Sequence, residues 1–66
     1  MNVNVNGATR QFTAEASVAD AVAALTTAPK GVAVALNGEV VPRGEWPATP
    51  LSAGDRIEVL TASQGG

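Results

Sequence analysis

The middle of the chain reads Val32-Ala33-Val34-Ala35-Leu36-Asn37-Gly38-Glu39-Val40-Val41, with an apolar run on each side of Asn37-Gly38. A two-residue turn of type I′ requires positive φ at both positions, and Asn-Gly tolerates this geometry best. The segment therefore predicts a β-hairpin. Its second strand ends at Pro42, because proline cannot donate a hydrogen bond to a strand ladder.

A second hairpin is predicted at the start of the sequence. From Met1 to Asn6, apolar residues alternate with asparagine, which is the pattern of a strand with one buried and one solvated face. Asn6-Gly7 supplies the turn. Residues 8–14, which include Phe12, are then expected to return as the antiparallel partner.

A short helix is predicted between the two hairpins, over residues 18–25. Val18, Val22 and Leu25 are spaced at i, i+4 and i+7, which places them on one helical face. A helix this short depends on the packing of that face for its stability, because its intrinsic propensity is not sufficient.

Both ends of this helix carry recognisable signals. Ser17 is the predicted N-cap, with its hydroxyl accepting a hydrogen bond from the N–H of Asp20. The Asp20 carboxylate would also lie at the positive end of the helix dipole. Pro29 ends the helix, because proline disfavours helical geometry in the residue before it.

Beyond Pro42, residues 44–53 are predicted to form an irregular crossing that carries Trp46 and Leu51 back to the core. A core position explains Trp46 better than a ligand platform, since large aromatic side chains dominate small cores. Residues 52–55 then form a turn, and residues 56–60 form the final strand.

The order strand, strand, helix, strand, strand, strand indicates an α+β domain with one helix packed across a mixed sheet. A β-grasp arrangement, in which the first and last strands are parallel neighbours, fits this order, and so does a ferredoxin-like relative. The predicted domain covers residues 1–61, and residues 62–66 form a flexible tail. The expected core side chains are Val3, Val5, Phe12, Val18, Val22, Leu25, Val34, Leu36, Leu51, Ile57 and Val59.

The face of the sheet opposite the helix is predicted to carry a small apolar patch. Side chains alternate between faces along a strand, so if Val34 points inward, Ala33, Ala35 and Leu60 point outward. Such a patch, edged by charge, is a candidate docking site for a partner. The alternative is a few scattered apolar surface residues, which need no functional explanation.

Composition excludes several classes of function. A 66-residue chain accommodates one domain, and its net charge of −2 and four basic residues provide no stripe for nucleic acid. Without histidine, cysteine or tyrosine the chain lacks the usual general base and thiol nucleophile, so no catalytic residue, metal site or cofactor is expected. The six acidic residues are spaced like ordinary surface charges, and a carboxylate dyad among them is the alternative. No membrane span or signal peptide is visible, which predicts a cytoplasmic protein.

The sequence closes with Ser63-Gln64-Gly65-Gly66 after a strand-like segment. Glycine has no Cβ, so a glycine pair can enter a narrow channel and leaves the terminal carboxyl carbon unhindered. Gly66 is therefore the candidate reactive residue, and Gly65, Gln64 and Ser63 are candidates for threading into a partner. The alternative is an ordinary frayed terminus.

Motifs over nearly the whole chain point to a known family. They are Val5-Asn6-Gly7, the run from Ala33 to Arg43, Glu45-Trp46, Leu51, the run from Gly54 to Val59, and Gly65-Gly66. Together they resemble the ThiS family, the ubiquitin-like sulfur carrier proteins of thiamine thiazole biosynthesis. The chain departs from this family at Ala62-Ser63-Gln64, where relatives more often have a hydrophobic residue and another glycine.

The resemblance implies a ubiquitin-like β-grasp fold and a protein that is acted upon rather than an enzyme. An ATP-dependent activating enzyme would adenylate the carboxyl group of Gly66, which would then become a thiocarboxylate. Thiazole synthase would receive the sulfur, which a donor such as a cysteine desulfurase supplies. Nucleic acid and membranes are not expected partners.

Other functions stay open at this point. The small subunit of molybdopterin synthase uses the same chemistry, although its relatives tend to have prolines and bulky apolar residues where this chain has Thr61-Ala62-Ser63-Gln64. A non-covalent β-grasp binding module would make the diglycine accidental. A ubiquitin-like protein tag is a weaker alternative, since Lys30 is the only lysine.

Overall fold

The computed structural model describes residues 1–25 and 31–61. These residues form strands β1 (Asn2–Val5), β2 (Ala8–Gln11), β3 (Val32–Leu36), β4 (Glu39–Val40) and β5 (Arg56–Thr61), helix α1 (Val18–Leu25) and a 3-10 helix (Arg43–Ala48). Every predicted strand is therefore present, although β2 ends at Gln11 and does not extend to residue 14.

The strands form one mixed sheet in the order β2-β1-β5-β3-β4. Strand β5 lies in the middle, parallel to β1 through Val5 and Ile57 and antiparallel to β3 through Leu36 and Ile57. The parallel pairing of the first and last strands is the feature predicted for a β-grasp sheet. It confirms that arrangement over the ferredoxin-like one.

Both Asn-Gly turns have the predicted backbone geometry. Asn6 and Asn37 have φ of 53° and 50°, and the glycines that follow them have φ of 90° and 88°. Positive φ at both positions is the requirement of a type I′ turn, whose twist matches that of the flanking strands. The turns fix the hairpin registers, which pair Val5 with Ala8 and Leu36 with Glu39.

Helix α1 begins as predicted, but its first turn is capped in another way. The carboxylate of Asp20 accepts hydrogen bonds from the backbone N–H of Ser17 at 2.8 Å and from its hydroxyl at 3.3 Å. The N–H of Asp20 donates to the carbonyl oxygen of Ser17 at 3.0 Å. The prediction that the Ser17 hydroxyl accepts from the N–H of Asp20 is therefore wrong, because that N–H is bonded to the Ser17 carbonyl oxygen and the hydroxyl is turned toward the Asp20 carboxylate. The predicted end of the helix at Pro29 lies outside the described residues.

The core lies between the inner face of the sheet, α1 and the 3-10 helix. Its buried side chains are Val3, Val5, Ala16, Val18, Ala21, Val22, Val34, Trp46, Leu51, Ile57 and Val59. Phe12 and Leu36 are only partly buried against this cluster. Leu25 was expected in the core but is exposed. It is the last residue of α1, and the helix packs on the core through Val18, Ala21 and Val22, which lie nearer its N-terminus.

The crossing after β4 is more regular than the sequence predicts. Residues Arg43–Ala48 form a 3-10 helix that packs against α1 and places the side chain of Trp46 in the core. The indole Nε1–H donates to the carbonyl oxygen of Val41 at 2.9 Å. That bond satisfies the polar atom of a buried aromatic side chain, and it confirms the interpretation of Trp46 as a core residue.

Candidate functional site

The predicted reactive tail continues from the end of β5. Thr61 is the last residue of that strand, and Ser63, Gln64, Gly65 and Gly66 lie outside the described residues. The boundary between domain and tail at residues 61 and 62 therefore stays a prediction, as do the roles of the tail residues. The structure instead shows how the strand that leads into the tail is held and which surface surrounds it.

Strand β5 is held on both sides until shortly before the tail. On one side β3 pairs with it to the end, with Ala33 opposite Leu60 and Val32 opposite Thr61. On the other side β1 pairs with it through Val5 and Ile57. The side-chain amide of Asn6 then accepts a hydrogen bond from the N–H of Val59 at 2.8 Å and donates one to its carbonyl oxygen at 3.1 Å.

The structure brings together the three residues of the predicted docking patch. Ala33 pairs with Leu60, and Ala35 lies next to Ala33 on the same face of β3. Leu60 is 68% exposed, Ala33 is exposed and Ala35 is half-buried. The apolar patch on the outer face is therefore present, whereas its role in docking stays a prediction.

The sequence interpretation missed one member of this patch. Val40 pairs with Ala35 across the second hairpin and is 78% exposed. The register set by the Asn37-Gly38 turn was the signal that would have found it, because that turn places Val40 opposite Ala35. We call Ala33, Ala35, Val40 and Leu60 together the outer-face patch.

The outer-face patch forms a shallow depression with a charged border. Its lining includes Glu58 and Val34 in addition to the patch residues. Glu58 pairs with Ala35 and is exposed, so its carboxylate stands beside the apolar surface. A partner that supplies apolar side chains and a cation next to them would complement this surface.

The rest of the outer face is polar. Asn2 and Asn4 of β1 are opposite Gln11 and Thr9 of β2, and the buried residues Val3 and Val5 alternate with them toward the core. The face is therefore divided, with neutral polar side chains over β1 and β2 and apolar side chains over β3, β4 and the end of β5. The apolar half includes Leu60, which is next to the last residue of β5.

The carboxylates for which the structure shows hydrogen bonds have structural roles. Asp20 caps α1, and Asp55 accepts from the backbone N–H of Ser52 at 2.7 Å and from the side-chain amide of Asn37 at 3.0 Å. Within residues 1–25 and 31–61, no group of three or more acidic, histidine or cysteine side chains is arranged to hold a metal ion. In the same residues, no helix has the length and apolar character needed to span a membrane.

Comparison with known proteins places the chain in a family. The model of the ThiS family matches residues 3–66, which include every motif noted above and the terminal diglycine. The chain belongs to the ThiS family. The resemblance inferred from its sequence motifs is thereby confirmed. No curated protein matches the chain.

Two solved structures resemble this ThiS-family chain over its whole length. One is the crystal structure of a thiamine biosynthesis protein (ThiS) from Geobacter metallireducens, 36% identical over 100% of both chains with a TM-score of 0.79. The other is the NMR solution structure of a thiamine biosynthesis protein from the same organism, 36% identical over 100% of this chain and 88% of that one, with a TM-score of 0.81. These likenesses confirm the β-grasp fold.

Proposed function

We propose that this chain is a sulfur carrier protein whose C-terminal carboxylate becomes a thiocarboxylate and donates sulfur for thiazole formation in thiamine biosynthesis. The observation that carries the proposal is the ThiS-family match over residues 3–66, a range that includes Gly65 and Gly66. The solved structures of thiamine biosynthesis proteins, similar over the full length of the chain, support the same pathway.

The proposed chemistry explains why the carrier needs no catalytic side chain. A free carboxylate is a poor electrophile, because its negative charge repels nucleophiles. The carboxylate of Gly66 would therefore attack the α-phosphorus of ATP, releasing pyrophosphate and forming a mixed anhydride with AMP. A hydrosulfide ion would then attack the activated carbonyl carbon and displace AMP, leaving the thiocarboxylate. If the nucleophile were instead the outer sulfur of a donor's persulfide, displacement of AMP would give an acyl disulfide, and a thiol reductant would have to cleave its S–S bond to release the thiocarboxylate.

An activating enzyme would supply the catalytic groups for both steps. This division of labour agrees with a chain that has no histidine or cysteine. Gly65 would give steric clearance in a narrow channel, and Gln64 and Ser63 would carry the chain from β5 to that channel. An extended run of four residues spans about 13 Å, which is long enough to reach a reaction centre buried in a partner enzyme.

The outer-face patch is the proposed docking surface for the activating enzyme and for thiazole synthase. Its support is positional and chemical. Leu60 lies next to the last residue of β5 and is 68% exposed, and Val40, on the far side of β3 from Leu60, is 78% exposed. Exposed apolar side chains gathered beside a charged border are typical of a recognition surface. The sulfur donor, such as a cysteine desulfurase, would act on the activated carrier while it is bound there.

The deciding experiment measures the intact mass of the protein after incubation with its cognate activating enzyme, ATP and a sulfur source. The expected product is heavier by the difference between one sulfur and one oxygen atom. A reaction without ATP is the control and should leave the mass unchanged. If the complete reaction also leaves the mass unchanged, the carrier function fails and a non-covalent binding module replaces it.

A second stage of the same experiment tests the pathway. The thiocarboxylate form is supplied separately to thiazole synthase with its substrates and to a molybdopterin precursor with the large subunit of molybdopterin synthase. Sulfur transfer to the thiazole supports the proposal. Transfer to the molybdopterin precursor alone would keep the carrier chemistry and change the pathway.

A further inference from the structure

Asn6 has two roles in the structure, and only one of them belongs to its hairpin. Its backbone occupies the first position of the type I′ turn, with φ of 53°. Its side chain extends away from that turn to Val59 on β5, 53 residues away in sequence, with both amide atoms engaged. A turn residue needs positive φ but does not need this distant contact, so the contact has a separate effect.

The side-chain amide of Asn6 continues the pairing of β1 with β5 after the main chain of β1 has turned away. The backbone N–H of Asn6 donates to the carbonyl oxygen of Ile57 at 3.0 Å. The next N–H and C=O on that edge of β5 belong to Val59, and the Asn6 side chain pairs with both. It therefore supplies the donor and the acceptor that the main chain of a continued β1 would supply in a parallel ladder.

Beyond Val59 the support of β5 is one-sided. Within the described residues, β3 is the only strand that pairs with Leu60 and Thr61. Asn6 consequently fixes the last point at which β5 is held from both sides. Val59 itself is 6% exposed, and its side chain is part of the core, so this point is also anchored by packing.

The second Asn-Gly turn provides an internal comparison. Asn37 has nearly the same backbone geometry, with φ of 50°, and its side chain also forms hydrogen bonds at β5. It accepts from the N–H of Arg56 at 2.9 Å and donates to the carboxylate of Asp55 at 3.0 Å. These bonds hold the N-terminal end of β5, whereas the tail follows its C-terminal end.

We propose that Asn6 is a positioning residue for the C-terminal tail. Its amide holds Val59 in the sheet and so sets the place and direction from which residues 62–66 leave the domain. The role rests on the proposed function, since it matters only if Gly66 must reach a partner's active site. A tail with a fixed origin presents its end with less loss of conformational freedom on binding.

The test compares Asn6→Gly with Asn37→Gly. Glycine accepts positive φ, so each substitution keeps the turn and deletes one side-chain amide. The added flexibility of the unfolded chain is the same in both variants, which makes them a matched pair. The change in backbone entropy should therefore lower the free energy of unfolding equally in the two variants. Any difference between them then comes from the side-chain hydrogen bonds that each substitution deletes.

The first measurement is amide hydrogen exchange by NMR in the free protein. Because the N–H of Val59 loses its acceptor, its exchange should become about tenfold or more faster in Asn6→Gly. The Val59 amide should stay close to wild type in Asn37→Gly, where the effect is expected at Arg56. Unchanged exchange at Val59 in Asn6→Gly would show that the amide does not hold the strand and would overturn the proposal.

The second measurement is the rate of Gly66 adenylation by the activating enzyme over a range of carrier concentrations. For Asn6→Gly we expect KM to rise by about threefold or more with kcat nearly unchanged, because the substitution impairs presentation of the tail and leaves the chemistry intact. Asn37→Gly should keep both constants. Identical constants for Asn6→Gly and wild type, or equal losses in both variants, would overturn the positioning role. Failure of the wild-type chain to react would instead overturn the proposed function, and the role of Asn6 with it.

Discussion

Truncating Ile57 to alanine is the strongest test of the assigned sheet register. Ile57 has 0% exposure and lies at the centre of the sheet, paired with Val5 on one side and Leu36 on the other. The substitution removes the equivalent of three methylene groups, a transfer term of about 2.4 kcal/mol. The cavity left between the strands and α1 adds to this, so the expected loss lies within the range of about 2–5 kcal/mol.

That loss is large compared with the whole stability of the domain. A chain of this length is expected to have about 3–10 kcal/mol of unfolding free energy. With a urea m-value of about 1 kcal/mol/M, the midpoint should fall by about 2–5 M. The assay is urea unfolding followed by the fluorescence of Trp46, which is buried in the folded state.

Two further substitutions keep the test informative if the alanine variant does not fold. Ile57→Val removes one methylene group and should cost about 0.5–1.5 kcal/mol. Leu60→Ala changes a residue on the same strand that is 68% exposed, and should cost less than about 0.5 kcal/mol. A midpoint for Ile57→Ala equal to wild type, or a larger loss for Leu60→Ala than for Ile57→Val, would refute the register.

Three further predictions concern the surface and the tail. Leu60→Asp places a charge in the outer-face patch and should weaken binding to the activating enzyme by about tenfold in a titration, with an unchanged circular dichroism spectrum. The control Thr9→Asp, on the polar half of the same face, should bind as wild type. Equal affinities for the two variants would show that the patch is not the docking surface. One alanine added after Gly66 should abolish adenylation in the intact-mass assay while the fold stays intact, since the carboxylate is displaced and gains a neighbouring methyl group; normal product formation would contradict the terminal-glycine chemistry. Gly65→Val should also suppress the reaction, through a clash in the channel, and a wild-type rate would show that no narrow channel is involved.

Features encoded by neighbouring residues could be predicted from the sequence. The two Asn-Gly turns are local, since the need for positive φ is met by the two residues themselves. The alternation along β1 and β5 gave the inward side chains Val5, Ile57 and Val59 correctly for the same reason. The order of elements allowed a parallel pairing of β1 with β5 but also a ferredoxin-like arrangement, and only the family resemblance favoured the pairing that the sheet shows.

Features that depend on distant parts of the chain were missed. Helical spacing showed which face Leu25 occupies, but the length of α1 that packs in the core depends on tertiary structure. Asn6 was recognised only as a turn residue, because nothing near it in sequence indicates a contact with Val59. The 3-10 helix was read as irregular because Gly44 and Pro47 disfavour an α-helix, and a 3-10 turn leaves a weak periodic signal. The roles of Gly65 and Gly66 came from the family resemblance together with the chemistry of an unhindered carboxyl group.

The central place of β5 has a consequence for how the molecule forms. The hairpins β1-β2 and β3-β4 pair with β5 and not with each other in the strand order β2-β1-β5-β3-β4. During synthesis on the ribosome, both hairpins emerge before the strand that joins them, and contacts such as that between Asn6 and Val59 span 53 residues. Topologies dominated by distant contacts fold slowly, because the entropy of chain closure is lost before the contacts form. The sheet therefore becomes continuous only after residues 56–61 have been made and have paired with both hairpins, so β5 is anchored in the last step of folding.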